Sequence, residues 1–429
     1  MKILLKNLNL LNPEQKINHE SDLLIEDGKI IELGSNITSI DSQTKTFDFT
    51  GMYCVPGLVD MHVHLREPGR EDEETIETGS NAAAGGGFTE IACMPNTNPA
   101  IDSAEVVKLI KDKAKNHLVN VHPIGAVSVN RAGEGLSPIA ELVDAGAVAF
   151  SDDGVAVKTS ALLKSAMEYC LMFDKTIIDH CEEICFSDGA MNEGFISTLL
   201  GLPPLPSVSE DLIVARDILM AEYTGGKIHI AHISSKKSVE LVRNAKGKGI
   251  KVTAEATPHH FTLTDDVLKN YDTNFKMSPP LRTEEDVQAI ISGLKDGTID
   301  CIASDHAPHS VEEKEMEFIY APNGILGLET ELALCLNELV SKNHLTLDDL
   351  VLKLSINPRK ILNLPIPKFE TNELANLTIF DPEKIWTVDV SKFKSKSKNS
   401  PFDKRLLKGA SVAVINNSKM FFENKFTDI

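Results

Sequence analysis

The sequence predicts an α/β protein: a (β/α)8 TIM barrel carrying a small β-sandwich domain built from both chain ends. Three observations lead there. Eight strand-like runs alternate with helical patterns between residues 56 and 365. The two chain ends carry short alternating strands with no helical pattern between them. Polar residues gather where the middle strands close, which is where this barrel builds its site. A length of 429 residues exceeds one small core and suits a barrel plus a satellite domain.

The elements follow in order. Residues 1–55 alternate apolar and polar side chains in KILLKNLNLL, DLLIEDGKIIELG and TKTFDFTG, with Asp27-Gly28 as a hairpin turn. Residues 366–429 read alike in LANLTIFDP, WTVDV and ASVAVINNSKMFFEN, so both ends are expected to form one domain. In the barrel, 56–365, strands are expected at 58–65, 88–94, 119–127, 146–151, 175–180, 227–233, 250–256 and 299–304. Helical stretches separate them; in SAEVVKLIKDKAKN, Val106, Leu109, Ile110 and Ala114 recur at helical spacing. Two or three helices follow the eighth strand, one opened by the capping-box pair Thr346 and Asp349. A doubly wound sheet shows the same alternation, and the number of units alone does not separate the two.

Composition narrows the class. With 42% hydrophobic and 25% charged residues the chain reads as an ordinary globular protein. It has no apolar run of about 18 residues, so no membrane partner is expected. The opening MKILLKNLNLLNPEQ reads as strand and turn, not a signal peptide, and the expected location is cytoplasmic. Seven scattered cysteines fit reduced core thiols, and Cys181 with Cys185 lacks the second pair of a structural metal site. A net charge of −20 excludes a nucleic-acid partner but not a small anionic substrate.

The chemistry collects at strand ends. With a period of two, His62, His64 and Arg66 are expected on one face of the first strand, with Val63 and Leu65 outward. The fourth strand ends in Ser151-Asp152-Asp153-Gly154, the fifth in Asp179-His180-Cys181-Glu182, the sixth in His229-Ile230-Ala231-His232, and the eighth in Ser304-Asp305-His306-Ala307-Pro308-His309. Unpaired, such groups would cost several kcal/mol each to bury, on the order of magnitude of any polar burial. A metal explains their number. The His and carboxylate set suits zinc, with manganese or cobalt as substitutes, and it exceeds what one ion needs, so two are expected.

The stretches His62-Val63-His64-Leu65-Arg66-Glu67-Pro68-Gly69, Met94-Pro95-Asn96-Thr97 and Asp305-His306-Ala307-Pro308-His309 resemble signatures of the amidohydrolase superfamily. Together with FSDDGV, DHCEE, TAEATPHHF, FKMSPPLR and SKNSPF they are similar, more closely, to bacterial class I dihydroorotases. The resemblance implies one zinc on His62, His64 and Asp305, a second on His180 and His232, and Asp153 bridging them. Asp152 is the alternative bridge, disfavoured because adjacent strand positions face opposite ways. It also implies substrate contacts from Arg66, Asn96 and His309 to a carboxylate, with His64, Ser278, Asn323 and Gly324 around the ring. The chain departs from the family at Ser278, where asparagine is usual, and at Asn323, where an aromatic residue is frequent.

The implied reaction is reversible hydrolysis of L-dihydroorotate to N-carbamoyl-L-aspartate in pyrimidine biosynthesis, by a metal-bound hydroxide with Asp305 as base and then acid. His306, His259 and His260 are left between structural and functional roles, and segments 154–160 and 307–326 are candidate lids. Two other readings stand beside this one. An allantoinase or dihydropyrimidinase would keep the metal residues without needing Arg66. A homologue acting as an assembly partner, for instance of an aspartate carbamoyltransferase, would be expected to lose ligands. A homo-oligomer is also compatible with the sequence.

Overall fold

The computed structural model describes residues 1–38 and 40–429. Eight parallel strands form the barrel: β1 (Leu58–Val63), β2 (Phe88–Cys93), β3 (Asn120–Pro123, resuming at Gly125–Ala126), β4 (Phe150–Ser151), β5 (Thr176–Asp179), β6 (Lys227–Ile230), β7 (Val252–Ala256) and β8 (Cys301–Ile302). Each neighbour pairs in parallel register from β1 through β8. The ring closes where Val63 bridges His306 and the His64 amide donates to the His306 carbonyl at 2.8 Å. Closure excludes the doubly wound sheet. Every expected strand is present, but the fourth and eighth are two residues long because the chain leaves the ladder early to form site loops.

Strand parity sorts the apolar residues into two layers. One cluster contains Ala92, Met94, Ile124, Ala149, Ile178 and Ala303. Ile178 lies two residues before His180 and Ala303 two before Asp305, so these small and branched side chains fill the barrel beneath the polar residues. The opposite parity, including Ile91, Phe150, Ile177, Ile228 and Ile302, packs on the surrounding helices through Ile110, Leu163, Val214, Val239 and Ile290.

Helix caps follow the residue types at their starts. Thr75 and Thr78 form a capping box before Ile76–Gly86, and Thr346 with Asp349 forms the expected one before Leu347–Val351. One detail of the helical pattern needs correction. In Ala104–Ala114 the buried stripe is Val106, Val107, Ile110 and Ala114, while Leu109 is 40% exposed because it lies off that stripe.

The small domain is one nine-stranded sheet. Lys2–Asn12, Ile17–Glu26, Lys29–Gly34, Lys45–Asp48 and Tyr53–Pro56 come from the N-terminal side, and Leu377–Thr387, Leu406–Asn416, Lys419–Phe422 and Lys425–Asp428 from the C-terminal side. Tyr53–Pro56 joins the halves, pairing antiparallel with Leu377–Thr387 and parallel with Lys2–Asn12. The halves share a core of Ile3, Leu5, Ile25, Phe49, Ile379, Ile415 and Met420, and Phe47 meets Phe422 edge-on at 5.5 Å. The expected hairpin turn is there: Asp27 and Gly28 have φ of 49° and 75° between the paired Glu26 and Lys29, the two positive values that such a turn requires.

At the far end of the barrel, fully buried Arg359 donates to the Gly57 carbonyl at 2.6 Å and to Glu90 at 2.7 Å, locking the last helix to β1 and β2. All seven cysteines are unpaired, and only Cys185 is exposed. Among the described residues, no helix is long and apolar enough to cross a membrane.

Candidate metal centre

Barrel closure brings the ends of β1, β4, β5, β6 and β8 to one point. Asp153 Oδ1 lies 3.3 Å from His62 Nε2, 3.7 Å from His180 Nδ1 and 3.9 Å from His232 Nε2, and Oδ2 lies 3.6 Å from His64 Nε2. Asp305 Oδ1 is 3.0 Å from His64 Nε2 and 3.5 Å from His62 Nε2. All six side chains are buried. Two triads, His62–His64–Asp153 and Asp153–His180–His232, could each hold a metal ion, and they share Asp153. His62 Nε2 and Asp153 Oδ1 have no hydrogen-bond partner, the condition expected of atoms that take a cation instead. The residues present therefore fit a pair of ions.

Asp152 faces away, accepting from the Ser128 amide at 3.0 Å and its hydroxyl at 2.6 Å.

Without a metal, the electrostatics demand positive charge at this point. Burial pushes the Asp153 carboxyl up, but the His62 charge and contacts from His180 and His232 outweigh it and hold the group well below the carboxylate range. Asp305 is held at about 2, where burial is likewise outweighed by His62 and His64. His180 is raised to about 10: burial opposes its charge, and Asp153 and Glu182 more than compensate. His64 goes the other way, since burial dominates the help it receives from Asp305.

A further layer orients the rings. Glu255 Oε1 takes His62 Nδ1 at 2.6 Å and the His232 amide at 3.2 Å, while Oε2 meets His229 Nε2 at 3.1 Å. His64 Nδ1 donates to Asn96 Oδ1 at 2.8 Å. The contacts at His62 and His64 place the proton on Nδ1 and leave Nε2 with its lone pair toward the centre. Arg131 donates to the Asp153 carbonyl at 2.7 Å.

A pocket of about 340 Å³ opens above the cluster, and every expected substrate residue lines it: His64, Arg66, Asn96, Ser278, His309, Asn323 and Gly324. Arg66 arrives differently from expectation. Strand β1 ends at Val63 and Arg66 has φ of 60°, so the period of two does not extend to it. The guanidinium is set by its contacts instead: Nε donates to the Pro308 carbonyl at 3.0 Å and pairs with Glu73 at 3.1 Å, leaving the terminal nitrogens toward His309 and the pocket. His309 Nδ1 meets Glu73 at 2.9 Å and Nε2 the Asn323 carbonyl at 2.8 Å. Gly324 allows the close approach, since a Cβ there would sit 2.6 Å from the His309 ring. Ser278 is held by Glu182 at 2.8 Å.

Of the three histidines left between structural and functional roles, none lines this pocket. His260 spans the Thr257 hydroxyl and the Pro279 carbonyl at 2.7 and 2.9 Å, and burial lowers it to about 3. His306 lies against Glu74 at 3.4 Å, and buried His259 lines no part of the pocket. A larger cleft, about 650 Å³, lies between the small sheet and the barrel beside Trp386 and Phe421, but among the described residues no cluster of histidines and carboxylates faces it.

Glu255, Glu73 and Arg131 escape the sequence reading. A charged residue within the seventh strand, Thr-Ala-Glu255-Ala, was the available signal for the first. The others sit in loops without pattern.

Comparison with known proteins agrees with this architecture. Residues 51–238 match the family model described as Dihydro-orotase-like. The chain is 50% identical over 425 residues to the dihydroorotase of Syntrophus aciditrophicus, covering 99% of this chain and all of that one. It is 51% identical over 411 residues to the dihydroorotase of Ruminiclostridium cellulolyticum, covering 95% and 96%. The L-hydantoinase (dihydropyrimidinase) structure from Arthrobacter aurescens superposes with a TM-score of 0.88 at 27% identity, covering 100% and 97%. Half-identity across whole chains, on a barrel whose strand ends meet at one shared aspartate, leaves one assignment: this chain belongs to the dihydroorotase family, among the cyclic amide hydrolases.

Proposed function

We propose that the chain is a zinc-dependent dihydroorotase that interconverts L-dihydroorotate and N-carbamoyl-L-aspartate in pyrimidine biosynthesis. The observation that carries this is the position of Arg66 on the wall of a pocket whose floor is the double triad. An arginine fork suits a planar carboxylate. His62, His64 and Asp305 would hold one zinc, His180 and His232 the second, and Asp153 both. Bound zinc polarises a carbonyl and brings the pKa of water toward neutrality.

The chain's own residues do the rest. Arg66, Asn96 and His309 bind the substrate carboxylate, and Gly324, Asn323 and Ser278 border the ring. Asp305, ionised at neutral pH, takes a proton from the attacking water as its oxygen bonds to the ring amide carbon. It then delivers that proton to the ring nitrogen as the carbon–nitrogen bond breaks. In the reverse direction Asp305 starts protonated, so lower pH favours ring closure.

The hydantoinase-type structural neighbours share the fold, and Arg66 is what favours a carboxylated ring over theirs. The assembly-partner reading is disfavoured because all six histidines and aspartates converge. We also propose a cytoplasmic location and a division into 1–55 with 366–429, and 56–365. The test is turnover by purified, zinc-loaded protein of the dihydroorotate pair, with allantoin and dihydrouracil as controls. Turnover confined to the pair supports the reading; turnover of the carboxylate-free rings instead overturns it.

A further inference from the structure

Before its strand Leu406–Asn416, the C-terminal chain lies against the loops at the barrel mouth. The amides of Lys394 and Ser395 donate to Glu329 Oε1 at 2.8 and 3.1 Å. The Lys396 amide donates to Glu74 at 3.0 Å, and the Ser397 hydroxyl to the Glu73 carbonyl at 2.7 Å. The strap is thereby fastened to the loop after β1, whose Glu73 pairs with Arg66.

Its next polar residue in contact with the mouth, Asn399, is 3% exposed and fully engaged. Oδ1 accepts from the His309 amide at 3.1 Å, and Nδ2 donates to the carbonyls of Ala307 at 2.9 Å and Gly324 at 3.1 Å. Its own carbonyl accepts from the Leu326 amide at 3.0 Å. The bonds join the turn after Asp305 to the segment of Gly324, on either side of His309. Pro308, whose carbonyl holds Arg66 Nε, lies inside the joined turn. A side-chain amide offers the needed pattern of one acceptor and two donors; a carboxylate would face two carbonyls, and an apolar side chain would strand the His309 amide and the Ala307 carbonyl and leave the Gly324 carbonyl to Lys314 at 3.2 Å. None of these bonds involves the six histidines and aspartates of the metal centre.

We propose that Asn399 is a positioning residue, the clamp by which the C-terminal strap sets His309 against Arg66 and so tunes recognition of the substrate carboxylate. This rests on the reading of Arg66 and His309 as the carboxylate site.

The test compares Asn399→Ala and Asn399→Ser with wild type in the zinc-loaded full chain, reading kcat and KM separately, metal content, and amide hydrogen exchange. KM for L-dihydroorotate should rise about tenfold, with kcat within about threefold. Metal content should be unchanged. The His309 and Leu326 amides should lose protection while that of His64 keeps it. Unchanged KM and protection would overturn the proposal, as would a fall in kcat or metal content at constant KM. If wild type fails to turn over L-dihydroorotate, the functional reading falls, and exchange alone then decides the clamp. If neither variant folds, wild-type exchange decides: His309 and Leu326 amides protected like His64 support the clamp, and fast exchange at both overturns it.

Discussion

Replacing Glu255 by glutamine tests whether the layer behind the histidines acts on the metal. The carboxylate accepts from His62 Nδ1 at 2.6 Å, the His232 amide at 3.2 Å and His229 Nε2 at 3.1 Å. A glutamine oxygen can keep the first two bonds. Its new NH2 group would face His229 Nε2, and that ring can accept by moving its proton to Nδ1, 2.8 Å from the Thr253 hydroxyl, which both donates and accepts. The substitution thus removes charge while keeping shape and most bonds. Burial pushes the Glu255 carboxyl up, yet His62 and His229 hold it well below the usual range, so the lost charge is one the histidines rely on. Loss of such an outer carboxylate costs about 10–100-fold in metal affinity, which is about 1.4–2.7 kcal/mol. Competition with a chromophoric chelator measures the zinc affinity, and circular dichroism verifies the fold. A folded variant binding zinc within about twofold of wild type would show that the Glu255 charge does not act on the metal.

Three further substitutions test other contacts. Asp305→Ala should cut turnover by about 10²–10⁴-fold, the usual share of a general acid–base group; a rate near wild type in steady-state assays would remove Asp305 from its role. Arg66→Lys should raise KM for L-dihydroorotate by about tenfold or more, because a point charge cannot hold Pro308 and Glu73 through Nε while presenting a fork to substrate. An unchanged KM would place the carboxylate elsewhere. At the barrel base, burial pushes the Glu90 carboxyl up, but the His122 contact and the Arg359 charge outweigh it and hold it at about 2, below its ordinary 4.5. Burial also lowers Arg359, but arginine stays protonated across the accessible range, so the pair is ionised. A depressed carboxyl adds stability above pH 4.5 that is lost as pH falls toward 2. Glu90→Gln should therefore lose on the order of 3 kcal/mol at neutral pH and show a flatter acid limb in denaturant titrations. Parallel limbs for the two proteins would contradict this.

The barrel was legible because each strand is an apolar run ending in polar residues, a pattern that survives even where β4 and β8 shrink to two residues. His62, His64, Asp153, His180, His232 and Asp305 were visible for the same reason, being polar residues at strand ends. Periodicity failed where the backbone leaves the ladder. A period of two puts Arg66 on a strand face, yet it sits in the left-handed region and reaches the pocket through Pro308 and Glu73. Helical spacing puts Leu109 on a buried stripe that Val107 occupies. Loop and strap residues that act far along the chain, outside any strand or helical pattern, were not legible. Glu73 is 236 positions from His309, and Asn399 lies 90 positions beyond it. Only the folded chain shows that a loop after β1 and a strap from the small domain meet at one histidine.

Metal-dependent ring opening is measured by turnover of L-dihydroorotate as zinc is returned to chelator-stripped protein. Turnover should be negligible in the stripped protein and rise to a plateau near two equivalents of zinc per chain. Full turnover surviving verified removal of metal would contradict metal dependence.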